Sequence, residues 1–158
     1  MKVEYIEPFV RAAAEVAQRE LGWHVDRQSM SLLRSAYTTH DVTLLLGVEG
    51  EVRGLVLYCL PEATACKMAG GMLGYDVIEL DTLAQSGLAE FGHLVSNAAG
   101  LYLAEAGYPA TLTPPTVLLG HGTLVTMVDL PRLIIPLTTD GGSFEIHLML
   151  RASGASSA

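Results

Sequence analysis

The chain has 158 residues, with 9 Lys and Arg against 17 Asp and Glu, a formal net charge of −8, and only 16% of its residues charged, where a typical soluble domain has roughly a quarter. Half the residues are apolar, which excludes a disordered or linker-dominated protein, and the length suits one domain with no room for a second catalytic one. The acidic balance and singly scattered basic residues exclude nucleic acid, and there is neither a basic amphipathic helix for a lipid surface nor an apolar run of about 18 residues to span a membrane.

In chain order, Glu7-Pro8-Phe9-Val10-Arg11 through Leu21-Gly22 predicts a helix, with Pro8 in its first turn and Gly22 as its stop. Trp23 to Leu33 offers a further strand. Asp41 to Gly47 and Val52 to Leu60 flank the glycine-containing turn Val48-Glu49-Gly50-Glu51 and read as a hairpin. A short helix starts at Pro61 and ends in the run Gly70-Gly71-Met72-Leu73-Gly74. A long helix follows from Asp81 or Thr82 to Ala106, with Asp81 as N-cap and Gly107 and Pro109 as stop. Strands return at Thr116 to Leu119, Leu124 to Leu130, Arg132 to Thr138 and Ser143 to Leu150. The expectation is an α+β fold with long helices on a largely antiparallel sheet, a single domain over 1–152 and a flexible tail at 153–158. Ala14-Glu15-Val16-Ala17-Gln18 and Ala89-Glu90-Phe91-Gly92-His93 share one pattern, each ahead of a set of strands, as duplication or coincidence would produce.

Met1-Lys2-Val3-Glu4-Tyr5 begins no signal-peptide core, so the cytoplasm is the expected location. There Cys59 and Cys66 read as small buried hydrophobes and not a bridge. His24, His40, His93, His121 and His147 lack zinc-ligand spacing. No nucleophile elbow, phosphate loop or dinucleotide fingerprint is present.

The long helix carries the chemistry. At 100° per residue Ser86, Glu90, His93 and Asn97 fall at about 0°, 40°, 340° and 20°, one polar stripe. Leu83, Ala84, Gly87, Leu88, Phe91, Leu94, Val95, Ala98, Leu101 and Tyr102 make an apolar face to pack on the sheet. Glu90 is the only formal charge between Asp81 and Glu105. Ala89, Gly92, Ser96 and Gly100 flank the stripe and would let another surface approach closely. The same pattern also fits a helix meeting another helix of its own fold. A carboxylate and an imidazole at i and i+3 project together, so one can bind a cation while the other positions a water. Glu15, among Arg11, Arg19 and Glu20, reads as a solvated face.

Ser86-x-x-x-Glu90-x-x-His93 resembles the Asp/Ser-x-x-x-Glu-x-x-Asn signature of the CheC/CheX/FliY chemotaxis phosphatases. Ile6-x-Pro8-Phe9, Met72-Leu73-Gly74 and Pro115-Thr116-Val117-x-x-Gly120-x-Gly122 are similar to the CheX branch at similar spacing. The resemblance implies a phosphatase for the phospho-aspartate of a CheY-like response regulator, with Glu90 docking on the regulator's lysine. It implies that the regulator supplies Mg²⁺, that the phosphatase has no metal or cofactor of its own, and that two copies pair through their sheets. Leu133-Ile134-Ile135-Pro136-Leu137, whose proline suits an edge strand, is where that homodimer is expected. The departure is His93, where the family has asparagine: the imidazole would act as a base on the attacking water or prove too bulky for the regulator's site, with Asn97 a possible substitute. Two other readings stand beside the enzyme: a non-catalytic receiver-binding or scaffolding module that keeps Glu90, and a structural homologue with another ligand.

Overall fold

In the computed structural model, which describes residues 2–33, 37–38, 41–120, 124–125 and 130–154, the first helix, α1 (Val3–Leu21), starts a full turn before Pro8. The added turn is held by packing: Tyr5 and Ile6 are buried, and Tyr5 meets the ring of Tyr108 edge-on at 5.0 Å. Gly22 ends α1 in the left-handed conformation, φ 69°.

The Trp23–Leu33 segment splits into β1 (Val25–Arg27) and β2 (Ser31–Leu33), followed by β3 (Tyr37–Thr38). The expected hairpin is β4 (Val42–Gly50) and β5 (Val52–Leu60). Helix α2 (Glu62–Leu73) continues through Gly70 and Gly71, since these glycines are sites of close contact: a Cβ on Gly71 would lie 2.5 Å from Leu21 Cδ2. Helix α3 (Thr82–Glu105) matches its expected span. After it come β6 (Ala110–Leu112), too short for a sequence signal, β7 (Thr116–Leu119), β8 (Leu124–Val125), β9 (Arg132–Thr139) and β10 (Gly142–Ala152). Residues 126–129 of the expected Leu124–Leu130 strand lie outside the described residues, as do residues 155–158 of the expected tail. Ser153 is tied down, donating its N–H to Glu51 O at 3.0 Å.

Among the described residues eight strands form one antiparallel sheet with the path β1-β9-β10-β5-β4-β6, β2 also pairing β9 and β7 also pairing β4, while β3 and β8 form a separate two-stranded ribbon. The order has a two-fold logic. The series α1-β1-β2-β3-β4-β5 and α3-β6-β7-β8-β9-β10 occupy matching places, each half lending its two short strands to the long hairpin of the other. The halves meet on the β5–β10 pair, registered from Cys59↔Glu145 to Val52↔Ala152.

The edge expected at Pro136 is corrected: β9 lies between β10 and the pair β1 and β2. A strand residue points its N and C=O to the same neighbour, and Pro136 O accepts from Gln28 N at 2.9 Å. Its missing N–H therefore falls in the gap between β1, which ends at Arg27↔Leu137, and β2, which starts at Ser31↔Ile134. A break in the neighbouring strand accommodates the proline as well as an edge would.

The core lies between the helices and one sheet face and includes Phe9, Val16, Leu44, Val56, Tyr58, Leu88, Phe91, Val95, Ile135 and Ile146, none more than 1% exposed. Leu57, Cys59 and Met149 form a smaller cluster on the alternate residues of β5 and β10. Cys59 is buried, as expected, and Cys66 is half-buried.

Candidate functional site

Helix α3 is anchored at its start by Asp81, whose Oδ1 accepts the Ala84 N–H at 2.9 Å. At its end Tyr108 N donates to Leu103 O at 2.8 Å with Gly107 at φ 93°. Ala84, Leu88, Phe91, Val95, Ala99 and Leu103 are fully buried against the sheet and the other helices, and this fixes the rotation of the helix. Ser86, Glu90, His93 and Asn97 consequently all face out and are exposed. The Ser86 hydroxyl donates to Thr82 O at 3.1 Å, and Ser96 Oγ donates to His93 O at 2.8 Å. Asn97 Nδ2 lies 3.4 Å from His93 Nε2. Among the described residues Glu90 has no hydrogen bond or ion pair.

Two expectations about this helix are corrected. Two of the small residues, Gly92 and Gly100, are used inside the fold: a Cβ on Gly92 would sit 3.0 Å from Pro115 Cβ, and one on Gly100 would sit 3.8 Å from Leu112 Cδ1. Leu83 and Leu101, assigned from the sequence to the packed face, are 53% and 58% exposed. Both lie at about 60° on the helical wheel, close beside Glu90 at about 40°, so apolar ends bracket the polar stripe. The packed arc is narrower than the sequence predicts, because composition alone does not show where the packed face stops.

The stripe residues line neither of two sizeable concavities. A groove of about 600 Å³ lined by Trp23, Lys67, Tyr75, Asp76 and Asp140 contains none of them, and neither does a cavity of about 340 Å³ lined by Cys59, Phe144 and Glu145. Small ligands bind in concave sites; a helix face outside them fits a partner that brings its own cleft.

The family model described as "Chemotaxis phosphatase CheX" matches residues 42–138, more than half of the chain, from β4 through α3 to the end of β9. The chain belongs to the CheX family. A relative, "CheY-P phosphatase CheX" of Thermotoga maritima, is 23% identical over 156 residues, covering 98% of this chain and 100% of its own length. The crystal structure of a chemotaxis protein CheX from Desulfovibrio desulfuricans matches with a TM-score of 0.83 at 22% identity, covering 96% of this chain and 100% of that one. A CheX–CheY–BeF3–Mg²⁺ complex from Borrelia burgdorferi matches with a TM-score of 0.79 at 23% identity, over 95% and 99% of the two chains.

Within this CheX-family chain the other titratable groups serve the fold. Glu15, expected to be merely solvated, receives the Tyr102 phenol hydrogen on Oε2 and Arg11 Nε on Oε1 at 3.2 Å. The Arg11 guanidinium lies 3.9 Å over the Tyr102 ring, so this cluster joins α1 to α3. The hydrogen bond from Tyr102, ahead of Arg11, holds the Glu15 carboxyl below its usual range and pushes the phenol up. His147 is fully buried, its Nδ1 3.3 Å from Arg132 Nη1 and its Nε2 3.0 Å from Glu145 Oε1, in keeping with the structural or solvated role expected of histidines that stand alone in the sequence. His24 is exposed beside Asp26; His40 and His121 lie outside the described residues. Among the described residues no three His, Cys, Asp or Glu side chains converge as a metal site.

Proposed function

We propose that this chain is a phosphatase for the phospho-aspartate of a CheY-like receiver domain, docking α3 against it with Glu90 as the docking group and His93 as the group that orients water. The observation that carries the reading is Glu90 itself: an exposed carboxylate with no partner among the described residues, on the outward face of α3 that also carries exposed Leu83 and Leu101, in a CheX-family chain. A partner that covers these leucines and offers a lysine to Glu90 would use both features. Ser86 and Asn97 belong to the same contact face. The Borrelia burgdorferi complex joins a CheX to a CheY with BeF3 and Mg²⁺, which supports a receiver as the partner class.

In the reaction the water oxygen bonds to phosphorus and the bond from phosphorus to the aspartate oxygen breaks. The carboxylate leaves with that electron pair, and a water proton passes to a phosphoryl oxygen of the released phosphate. The receiver would bring the Mg²⁺ that neutralises the phosphoryl oxygens, while this chain adds docking and water orientation. We place the protein in the cytoplasm with its partner and, as in the CheX branch, as a homodimer; sedimentation of a monomer at micromolar concentration would refute the dimer.

The second reading, a receiver-binding module without catalysis, is favoured by His93 in the asparagine position. The test is decay of phosphorylated receiver with and without the protein, run on several receivers. Wild type accelerating decay supports the enzyme. Binding without acceleration supports the module. Glu90→Ala should weaken docking about 10- to 100-fold, the size of a charge-assisted pair, and an unchanged affinity would remove Glu90 from the interface.

A further inference from the structure

Asn97 reaches its side-chain amide nitrogen to 3.4 Å from His93 Nε2, one turn back on the exposed face of α3. An amide –NH₂ carries only hydrogens toward its partner, so the contact is attractive when Nε2 presents its lone pair; the proton of the neutral ring then sits on Nδ1. Free histidine prefers the other tautomer. Spacing of i,i+4 brings the two side chains together without any bend of the helix.

We infer that Asn97 is a positioning residue that holds His93 in the Nδ1–H tautomer, so that the ring meets the attacking water as a hydrogen-bond donor. The inference rests on the phosphatase reading of this face. It also changes the role open to the imidazole. With the Nε2 lone pair engaged by Asn97, the ring has no free acceptor for a water proton; it orients the water and does not deprotonate it. The attacking water accepts one hydrogen bond, from His93 Nδ1–H. When its oxygen bonds to phosphorus and the aspartate carboxylate departs with the P–O electron pair, the surplus proton goes to a phosphoryl oxygen. Neither His93 nor Asn97 ends the step with a changed proton count.

Two measurements test this. Long-range ¹H–¹⁵N NMR of the imidazole in the free, full-length protein needs no receiver, and should find Nδ1 protonated in wild type and a shift toward Nε2–H in Asn97→Ala. Wild type in the Nε2–H form would overturn the inference whatever the activity. The second is single-turnover decay of a phosphorylated receiver at saturating phosphatase. Asn97→Ala should slow the maximal rate about 5- to 10-fold, one hydrogen bond's worth, with the half-saturating concentration unchanged. In the His93→Asn background, where one amide supplies donor and acceptor, the same substitution should change the rate less than about 2-fold. An equal loss in both backgrounds, or none in wild type, would overturn the positioning role while leaving the phosphatase reading intact. A wild type that accelerates no receiver would remove that reading and, with it, this inference.

Discussion

Tyr58 carries a phenol into the core between β5 and the helices, where it is fully buried and its hydroxyl has no hydrogen-bond partner among the described residues. Burial pushes the phenol well above its ordinary range. Because a buried hydroxyl without a partner carries its full desolvation cost, Tyr58→Phe should raise stability by about 1 kcal/mol, read as a higher denaturant midpoint; a lower midpoint would mean that the hydroxyl has a partner. The Glu15–Tyr102 contact makes a pH prediction. Its folded-state carboxyl is depressed, so the stabilisation is present above the ordinary carboxylate range and is lost as pH falls through the folded value. Tyr102→Phe should therefore lower Tm near pH 7 and matter progressively less as pH falls through the depressed folded-state carboxyl; an equal loss across that fall would assign the effect to packing. That Glu90 and His93 share an exposed face of α3 was legible at this scale because a solitary charge in a long helix stands out in the sequence. The Glu15 and His147 contacts were not, since their partners, Tyr102 and Arg132, are distant in sequence and are brought close only by packing.

Helix α3 acts as a unit because one face is locked and the other is free. Leu83→Asp and Leu101→Asp should each leave Tm nearly unchanged, both side chains being more than half exposed, while weakening receiver binding about 10-fold, the value of one leucine's burial. A large fall in Tm would show that these leucines pack within the fold. Gly92→Ala should do the reverse, costing about 1–3 kcal/mol by pressing a Cβ against Pro115, with no direct effect on the exposed stripe. The long elements, α1, α3 and the β4–β5 and β9–β10 hairpins, were readable because their apolar periodicity runs for many residues. Residues 110–112 and the break between β1 and β2 were not, because strands of three residues contain too few alternations to register. Pro136 misled for a related reason: the proline rule identifies a residue without an N–H bond, and the sequence does not say whether solvent or a broken neighbour faces it.

At the scale of the molecule the two halves are interdependent. The β9–β10 hairpin takes β1 and β2 from the first half, and β4–β5 takes β6 and β7 from the second. A fragment ending at residue 80 lacks the strands that cover β4 and β5, so neither it nor the 81–158 fragment should show a cooperative unfolding transition alone. A sharp transition in either would disprove that interdependence. The five-residue echo between Ala14–Gln18 and Ala89–His93 pointed toward this arrangement, yet the exchange of short strands has no local signature. It becomes visible only in the pairing. The same exchange governs how quickly the chain reaches its native state. The central ladder joins residue 59 to 145 and residue 53 to 151, so a long loop must close before the sheet's middle exists, and the entropy of that closure precedes most of the reward. Refolding should accordingly be slow for a chain of this size, on the scale of milliseconds to seconds, and while it waits the unpaired edges of β5 and β10 are the segments most exposed to a neighbouring chain.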